Sequence, residues 1–326
     1  MRRRSFLAGV GAAILSAPVV AHGQASKVWR IAWLSPADGP GPNHQAFLRR
    51  MKELGYEQGK NLVMEWAWVG SRTDQMPAAA ARLVQWNPDA IVTQSQICAL
   101  AAKKATQTIP TVFVGVRDPV VAGIVESMAR PGGNLTGVTL TPNAELAAKH
   151  LELLREITPK TARLAVFWNP DVPIQASVVE TIRTLAESRA IVVRAFGVHK
   201  PGDIERAFET MIKERFDGLL TLVEWFTFGN RALIAKLATE ARIPTLFEVK
   251  DYVTAGGLLA YGVVYHEHFA SAAHYLDRIF KGAKPADLPV QQPARLEMVV
   301  NLKAAKAMRI SIPPSVVLRA DEVIEH

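Results

Sequence analysis

The sequence holds a single cysteine, Cys98, in 326 residues. One thiol excludes an intramolecular disulfide and any multi-cysteine cage for zinc or an iron–sulfur cluster. Charge clustering is also scarce. The formal net charge is +8, but Arg2, Arg3 and Arg4 crowd the start, leaving 8 − 3 = +5 for the rest. No later stretch gathers like charges into a stripe, so nucleic acid is not an expected partner. Beyond residue 26 no apolar run approaches the ~18 residues of a membrane-spanning helix, so stable membrane insertion is not expected either. What is present is ordinary globular composition, 49% hydrophobic and 21% charged. A single core rarely grows past ~250 to 300 residues, so the length favours two domains of about 150.

The first residues read as an address. Arg3-Arg4-Ser5-Phe6-Leu7 precedes a short apolar run from Ala8 to Ala21, a basic n-region feeding an h-region. Small-x-small patterns at Ala21-His22-Gly23 and Gly23-Gln24-Ala25 place a cleavage site so that the mature chain begins between Gln24 and Ser26. Residues 1–25 are therefore expected to be an export signal, and the mature protein periplasmic. The paired arginines fit the twin-arginine route, and the same basic n-region also serves Sec export.

Past the signal, two kinds of segment alternate. Short β-branched or apolar runs bounded by breakers predict strands at Trp29 to Leu34, Ala90 to Thr93, Thr111 to Val116, Leu135 to Leu140, Arg163 to Trp168, Ile191 to Phe196, Gly218 to Val223, Pro244 to Phe247 and Leu258 to Tyr261. Helical periodicity begins with Phe47, Leu48, Met51 and Leu54, followed by Gly55 as a C-terminal stop. It recurs at about 76 to 86, 97 to 107, 120 to 129, 144 to 156, 174 to 188, 203 to 215, 229 to 242 and 267 to 281. This alternation predicts parallel sheets covered on both faces, and the pattern occurs twice, over 28 to about 141 and about 142 to 265. Ligands of such sheets bind at the carboxyl ends of the strands, here in the seam between the halves.

Catalytic motifs are weak. Gly59-Lys60-Asn61 lacks the spacing of a phosphate loop, and His266 and His268, at i and i+2, point about 200° apart on a helix and cannot share one metal. No Gly-x-Ser-x-Gly elbow or His-Glu-x-x-His pair is present. No cofactor is expected.

Longer strings are more specific. They include Leu54-Gly55-Tyr56 with Gly59-Lys60-Asn61, Ile109-Pro110-Thr111-Val112-Phe113 with Asp118-Pro119-Val120, and Ala129-Arg130-Pro131-Gly132-Gly133-Asn134-Leu135-Thr136-Gly137. Trp168-Asn169-Pro170, Ala255-Gly256-Gly257-Leu258, Lys281-Gly282-Ala283-Lys284-Pro285 and Leu318-Arg319-Ala320-Asp321-Glu322 follow in order. Together they make the chain resemble an ABC transporter substrate-binding protein of the tryptophan/tyrosine-binding type, over essentially the whole mature chain. The resemblance implies a type I periplasmic binding protein fold: two Rossmann-like lobes, a three-strand hinge, and a ligand trapped by closure. Lobe 1 would comprise 26–141 plus about 267–290, and lobe 2 would comprise 142–266 plus about 291–326.

The resemblance directs attention to strand-end loops. Ser35 and Pro36 end the first strand, and Ser95 and Gln96 lead into a helix whose free N–H groups suit an anion. Asp118 and Pro119 follow another strand. Asn169, Glu224, Trp225 and Tyr261 stand across the cleft, with Trp225 as an aromatic wall. Alternatives stay open: Asp118 either meets a ligand amine or hydroxyl or caps the next helix, Arg117 either clamps a carboxylate or pairs with an acid or solvent, and Asn169-Pro170 is either site or turn. Trp29, Trp33, Trp66 and Trp86 read as packing. Relatives often carry Gly-Thr-Pro in place of Ser95-Gln96-Ile97, a small residue in place of Arg117, Asp-Pro in place of Glu224-Trp225, and Pro-Asn in place of Val263-Val264. These departures gather at the expected cleft and bear on the ligand, not the fold.

The expected function is a monomeric, non-enzymatic solute-binding protein that passes an aromatic or other amino acid, or an aromatic carboxylate, to an ABC permease with its ATPase. A sensory ligand-binding module, or an α/β enzyme with Asp118 or Glu224 as base, are the alternatives.

Overall fold

The computed structural model describes residues 27–325 except 71, 141, 142 and 294. The export signal expected at residues 1–25 lies outside the described residues. In chain order the elements are β1 (Trp29–Ser35), α1 (Pro42–Glu53), β2 (Leu62–Trp68), α2 (Met76–Gln85), β3 (Ala90–Gln94), α3 (Gln96–Ala105), β4 (Thr111–Val116) and β5 (Leu135–Thr139). A second set follows: α4 (Asn143–Ile157), β6 (Arg163–Trp168), α5 (Ile174–Glu187), β7 (Val192–Gly197), α6 (Asp203–Lys213), β8 (Gly218–Thr221), α7 (Trp225–Gly229), α8 (Arg231–Ala241), β9 (Thr245–Phe247), α9 (Lys250–Thr254) and β10 (Leu259–Val263). Then come α10 (Tyr265–Phe280), β11 (Leu296–Asn301), α11 (Leu302–Met308), α12 (Pro314–Arg319) and β12 (Glu322–Ile324).

The strands form two sheets. The first, β2-β1-β3-β4-β5, is parallel throughout; the second, β12-β11-β10-β9-β8-β6-β7, is parallel except where β10 meets β11. Both contain one topology, because β7-β6-β8-β9-β10 repeats the order of β2-β1-β3-β4-β5. Each sheet therefore has a switch point, between β1 and β3 and between β6 and β8, where helices leave to opposite faces and a crevice opens at the carboxyl ends.

Apolar strand faces drive each lobe to close on its helices. In the first lobe Ile31, Trp33, Val92, Val112 and Val138 pack with Phe47 of α1 and with Phe269, Ala272 and Leu276 of α10, so a helix late in the chain completes an early sheet. The opposite face buries Ala32, Leu34 and Ile91 under Leu83 and Cys98. In the second lobe Val166, Phe167, Leu219, Leu220, Leu246 and Ala260 belong to one continuous core. Three connections join the sheets: after β5, at Val264 between β10 and α10, and before β11. The first and third are tied together, since the Thr139 N–H donates to the Gln291 carbonyl at 2.9 Å.

The segment after β4 departs from expectation. Instead of a helix over 120 to 129, residues 119–123 form turns. The N–H groups of Ile124 and Val125 both fold back on the Pro119 carbonyl, and Gly123 at φ +66° reverses the chain before a second helical turn can form. The sequence also concealed β2, β11 and β12.

Candidate ligand site between the lobes

Both switch points open on one cleft with two connected chambers. The inner one, about 70 Å³, is lined by Pro36, Gln94–Ile97, Gly115 and Arg117 from the first lobe and by Val172, Gln175, Val223, Glu224, Trp225 and Phe228 from the second, with Leu140 and Tyr265 from the connections. The outer one, about 890 Å³, shares Pro36, Gln94, Trp225 and Phe228 and extends along the loop 36–44, Trp68, the loop 199–202 and Asn230–Arg231.

Ser35 is fully buried and serves as a support. Its hydroxyl donates to Gln94 Oε1 at 2.9 Å and accepts the Ala37 N–H, so it orients the Gln94 carboxamide and shapes the loop at Pro36. Ser95 begins α3 with φ +108° and ψ 164°, a region that side chains rarely occupy. Strain of ~1–3 kcal/mol is typical of such positions and they concentrate at ligand sites. The next residue, Gln96, lines the inner chamber and its Oε1 is buried without a partner among the described residues.

Arg117 resolves toward pairing with an acid. Its guanidinium donates to Glu248 Oε2 at 2.6 Å, and both side chains are 5% exposed. The partner was not anticipated from sequence, because Glu248 follows β9 on the other lobe and sits more than a hundred residues away. Glu248 also accepts the Val223 N–H at 2.6 Å. Gly262 makes room for this arrangement: a Cβ there would lie 1.9 Å from the Glu248 carbonyl oxygen. Beside Arg117, Gly115 takes φ +76° at a register shift in β4, and a Cβ there would approach the Tyr265 hydroxyl to 2.8 Å. Burial holds the Tyr265 phenol far above its ordinary pKa, so it is a neutral donor and acceptor facing the inner chamber.

Asp118 takes the capping alternative. Its Oδ1 accepts from the N–H groups of Val120 and Val121 at 3.2 and 3.1 Å, and neither Asp118 nor buried Pro119 lines the two chambers. Asn169 is likewise turn chemistry: fully buried, it accepts from Asp171 N–H and donates from Nδ2 to Glu224 Oε2 at 2.9 Å. Glu224 does reach the inner chamber, but as the N-cap of α7, accepting from Phe226 and Thr227 N–H. Burial nevertheless raises its pKa above the ordinary carboxylate value. Trp225 starts α7, packs its edge on Phe226 and borders both chambers. Tyr261 lies outside them, with its carbonyl bound to His150 Nε2 at 2.7 Å.

Several lining residues went unread in the sequence. Trp68 at the end of β2 stacks on Trp66 at 5.4 Å and 9° and faces the outer chamber. Gln175 sits at the start of α5, where a helix was expected, and Phe228 on the short helix α7, which was not expected from sequence. His268 is buried in α10 and His266 is exposed, and among the described residues no group of three His, Cys, Asp or Glu could hold a metal. No described helix is long and apolar enough to cross a membrane.

A family model described as ABC transporter substrate binding protein matches residues 37–324. The chain belongs to this family. It is 25% identical over 281 residues to the tyrosine-binding protein of Clostridioides difficile (strain R20291), covering 85% of this chain and 80% of that one. Among solved structures, a conserved domain protein from Vibrio cholerae is 28% identical with TM-score 0.84, over 91% of this chain and all of its own. An ABC domain from Streptococcus pneumonia in complex with L-Trp is 22% identical with TM-score 0.82, at the same coverages. The chain is thus the substrate-binding component of an ABC importer, a binding protein and not an enzyme. This role is consistent with work outside the cytoplasm.

Proposed function

We propose that the protein captures an aromatic amino acid, or a closely related aromatic carboxylate, in the interlobe cleft and hands it unchanged to a membrane permease driven by an ATPase. The observation that carries this reading is the mixture at the two switch points: aromatic Trp225, Phe228 and Tyr265 surround the polar Gln94, Gln96 and Arg117 in one concave site. Such a site suits a ligand with an apolar body and one polar end. The curated relative named for tyrosine and the neighbouring structure holding L-Trp support the same class. Residues 1–25 would export the chain to the periplasm by the twin-arginine or Sec route and be removed. The lobes would divide as 26–141 plus about 267–290 and 142–266 plus about 291–326, with the three connections as hinge and the monomer as working form.

A thermal-shift screen of residues 26–326 against amino acids, aromatic acids, amides and sugars tests the reading. A ligand at a hundredfold excess over its Kd stabilises the folded state by ~2.7 kcal/mol. A shift with L-tryptophan or L-tyrosine is expected; shifts confined to sugars or aliphatic acids would overturn the aromatic assignment.

A further inference from the structure

We propose that the ligand binds with its polar head in the inner chamber and its ring in the outer one, against Trp68. The protein then accepts ligands enlarged at the ring and rejects ligands blocked at the head. The inference rests on the aromatic reading above and adds the direction of binding and a wall on the first lobe.

Size decides the direction. The inner chamber's 70 Å³ falls well below the ~300 Å³ at which small-molecule pockets begin, whereas the outer chamber's 890 Å³ lies within their range. The smaller inner chamber suits the compact polar head and the larger outer one the ring. Arg117 on the inner chamber's wall is held by Glu248 in a pair buried at both ends. Chemistry agrees with size. Gln96 Oε1 is a buried acceptor without a partner among the described residues, which an ammonium or hydroxyl of the head would satisfy.

The outer chamber supplies what a ring needs. Trp68 comes from the first lobe and Trp225 and Phe228 from the second, so aromatic surface borders the space on both sides. Stacking on Trp66 and an edge contact with His44 at 5.9 Å hold the Trp68 indole, so it loses little freedom on meeting a ligand. The outer chamber remains roomy beyond any single ring.

Calorimetric titration of residues 26–326 with L-tryptophan, L-tyrosine, 3-iodo-L-tyrosine, 2-naphthyl-L-alanine and N-acetyl-L-tyrosine reads the orientation. Relative to L-tyrosine, the two ring-enlarged amino acids are expected to bind within about threefold and the acetylated one to lose more than about tenfold. Trp68→Leu should weaken L-tyrosine by about tenfold, the upper range of an aromatic pair, while the lost contacts with Trp66 and His44 lower the ligand-free melting temperature by a few degrees. Tight binding of N-acetyl-L-tyrosine with loss of the ring-enlarged compounds would reverse the orientation. Unchanged affinity in Trp68→Leu would remove the wall. Absence of binding by both L-tryptophan and L-tyrosine would instead overturn the aromatic reading itself, and this inference with it.

Discussion

Replacing Arg117 by methionine tests what the interlobe ion pair does. Arg117 and Glu248 lie on different lobes and are each 5% exposed, so their contact exists only while the lobes are together. With methionine at 117, Glu248 becomes a buried carboxylate whose remaining donor is the Val223 N–H. Removing one member of a buried pair costs ~3–5 kcal/mol. A hinged protein has a way out of that cost, because opening returns Glu248 to water. The loss should therefore fall on closure, and hence on apparent affinity, by on the order of 10²- to 10³-fold at ~1.4 kcal/mol per decade. Melting of the ligand-free protein should move by only a few degrees. Arg117 also borders the inner chamber, so direct ligand contact would give the same single-mutant result. The double variant Arg117→Met/Glu248→Gln separates the two. Glutamine keeps an acceptor for Val223 and carries no charge, so a closure latch predicts that at least tenfold of the lost affinity returns. Calorimetry reads the affinity, and small-angle scattering with and without ligand reads compaction. A double variant as weak as the single one, or a single variant within threefold of the parent, would refute the latch.

Three further outcomes follow from the geometry. Asp118→Ala should cost about 1 kcal/mol of stability through loss of its turn cap and leave ligand affinity unchanged; a selective loss for amine-bearing ligands would restore its role in recognition. Burial lowers the His268 pKa to about 4, so between pH 6.5 and pH 4 the unfolded chain takes up the proton first and stability falls by up to about 3 kcal/mol as pH drops. Denaturant midpoints in His268→Leu should lose that part of the acid slope; an unaltered slope would contradict the assignment. Ser95→Gly should raise stability by about 1–2 kcal/mol by relieving the positive φ; a lower melting temperature would show that the Ser95 hydroxyl outweighs the strain.

The fold was largely readable because buried parallel strands are continuous apolar runs. Thr111–Val116 and Arg163–Trp168 match their expected bounds, and the duplicated alternation reappears as two sheets of one topology. β2 escaped because Leu-Val-Met-Glu-Trp-Ala-Trp lies at a sheet edge with Glu65 partly exposed, giving neither a clean run nor a clean alternation. The false helix after Asp118 shows the limit of periodicity: Val120, Val121 and Ile124 are spaced for a helix, but the Gly123 backbone ends it. At the site, the family resemblance directed attention to the strand-end loops, and Pro36, Ser95, Gln96, Arg117, Glu224 and Trp225 border the inner chamber. What sequence could not supply was pairing across the lobes. Arg117 and Glu248 meet only after both lobes have folded and docked, and Asn169 and Asp118 spend their polar atoms on local turns that one-dimensional spacing does not reveal.

As proposed, the interlobe cleft holds a small aromatic ligand without changing it. The direct measurement is equilibrium titration of residues 26–326 with L-tryptophan and L-tyrosine, followed by mass spectrometry of the ligand released on denaturation. One equivalent bound and recovered at its original mass is the predicted result. No binding of either compound, or recovery of an altered molecule, would contradict it.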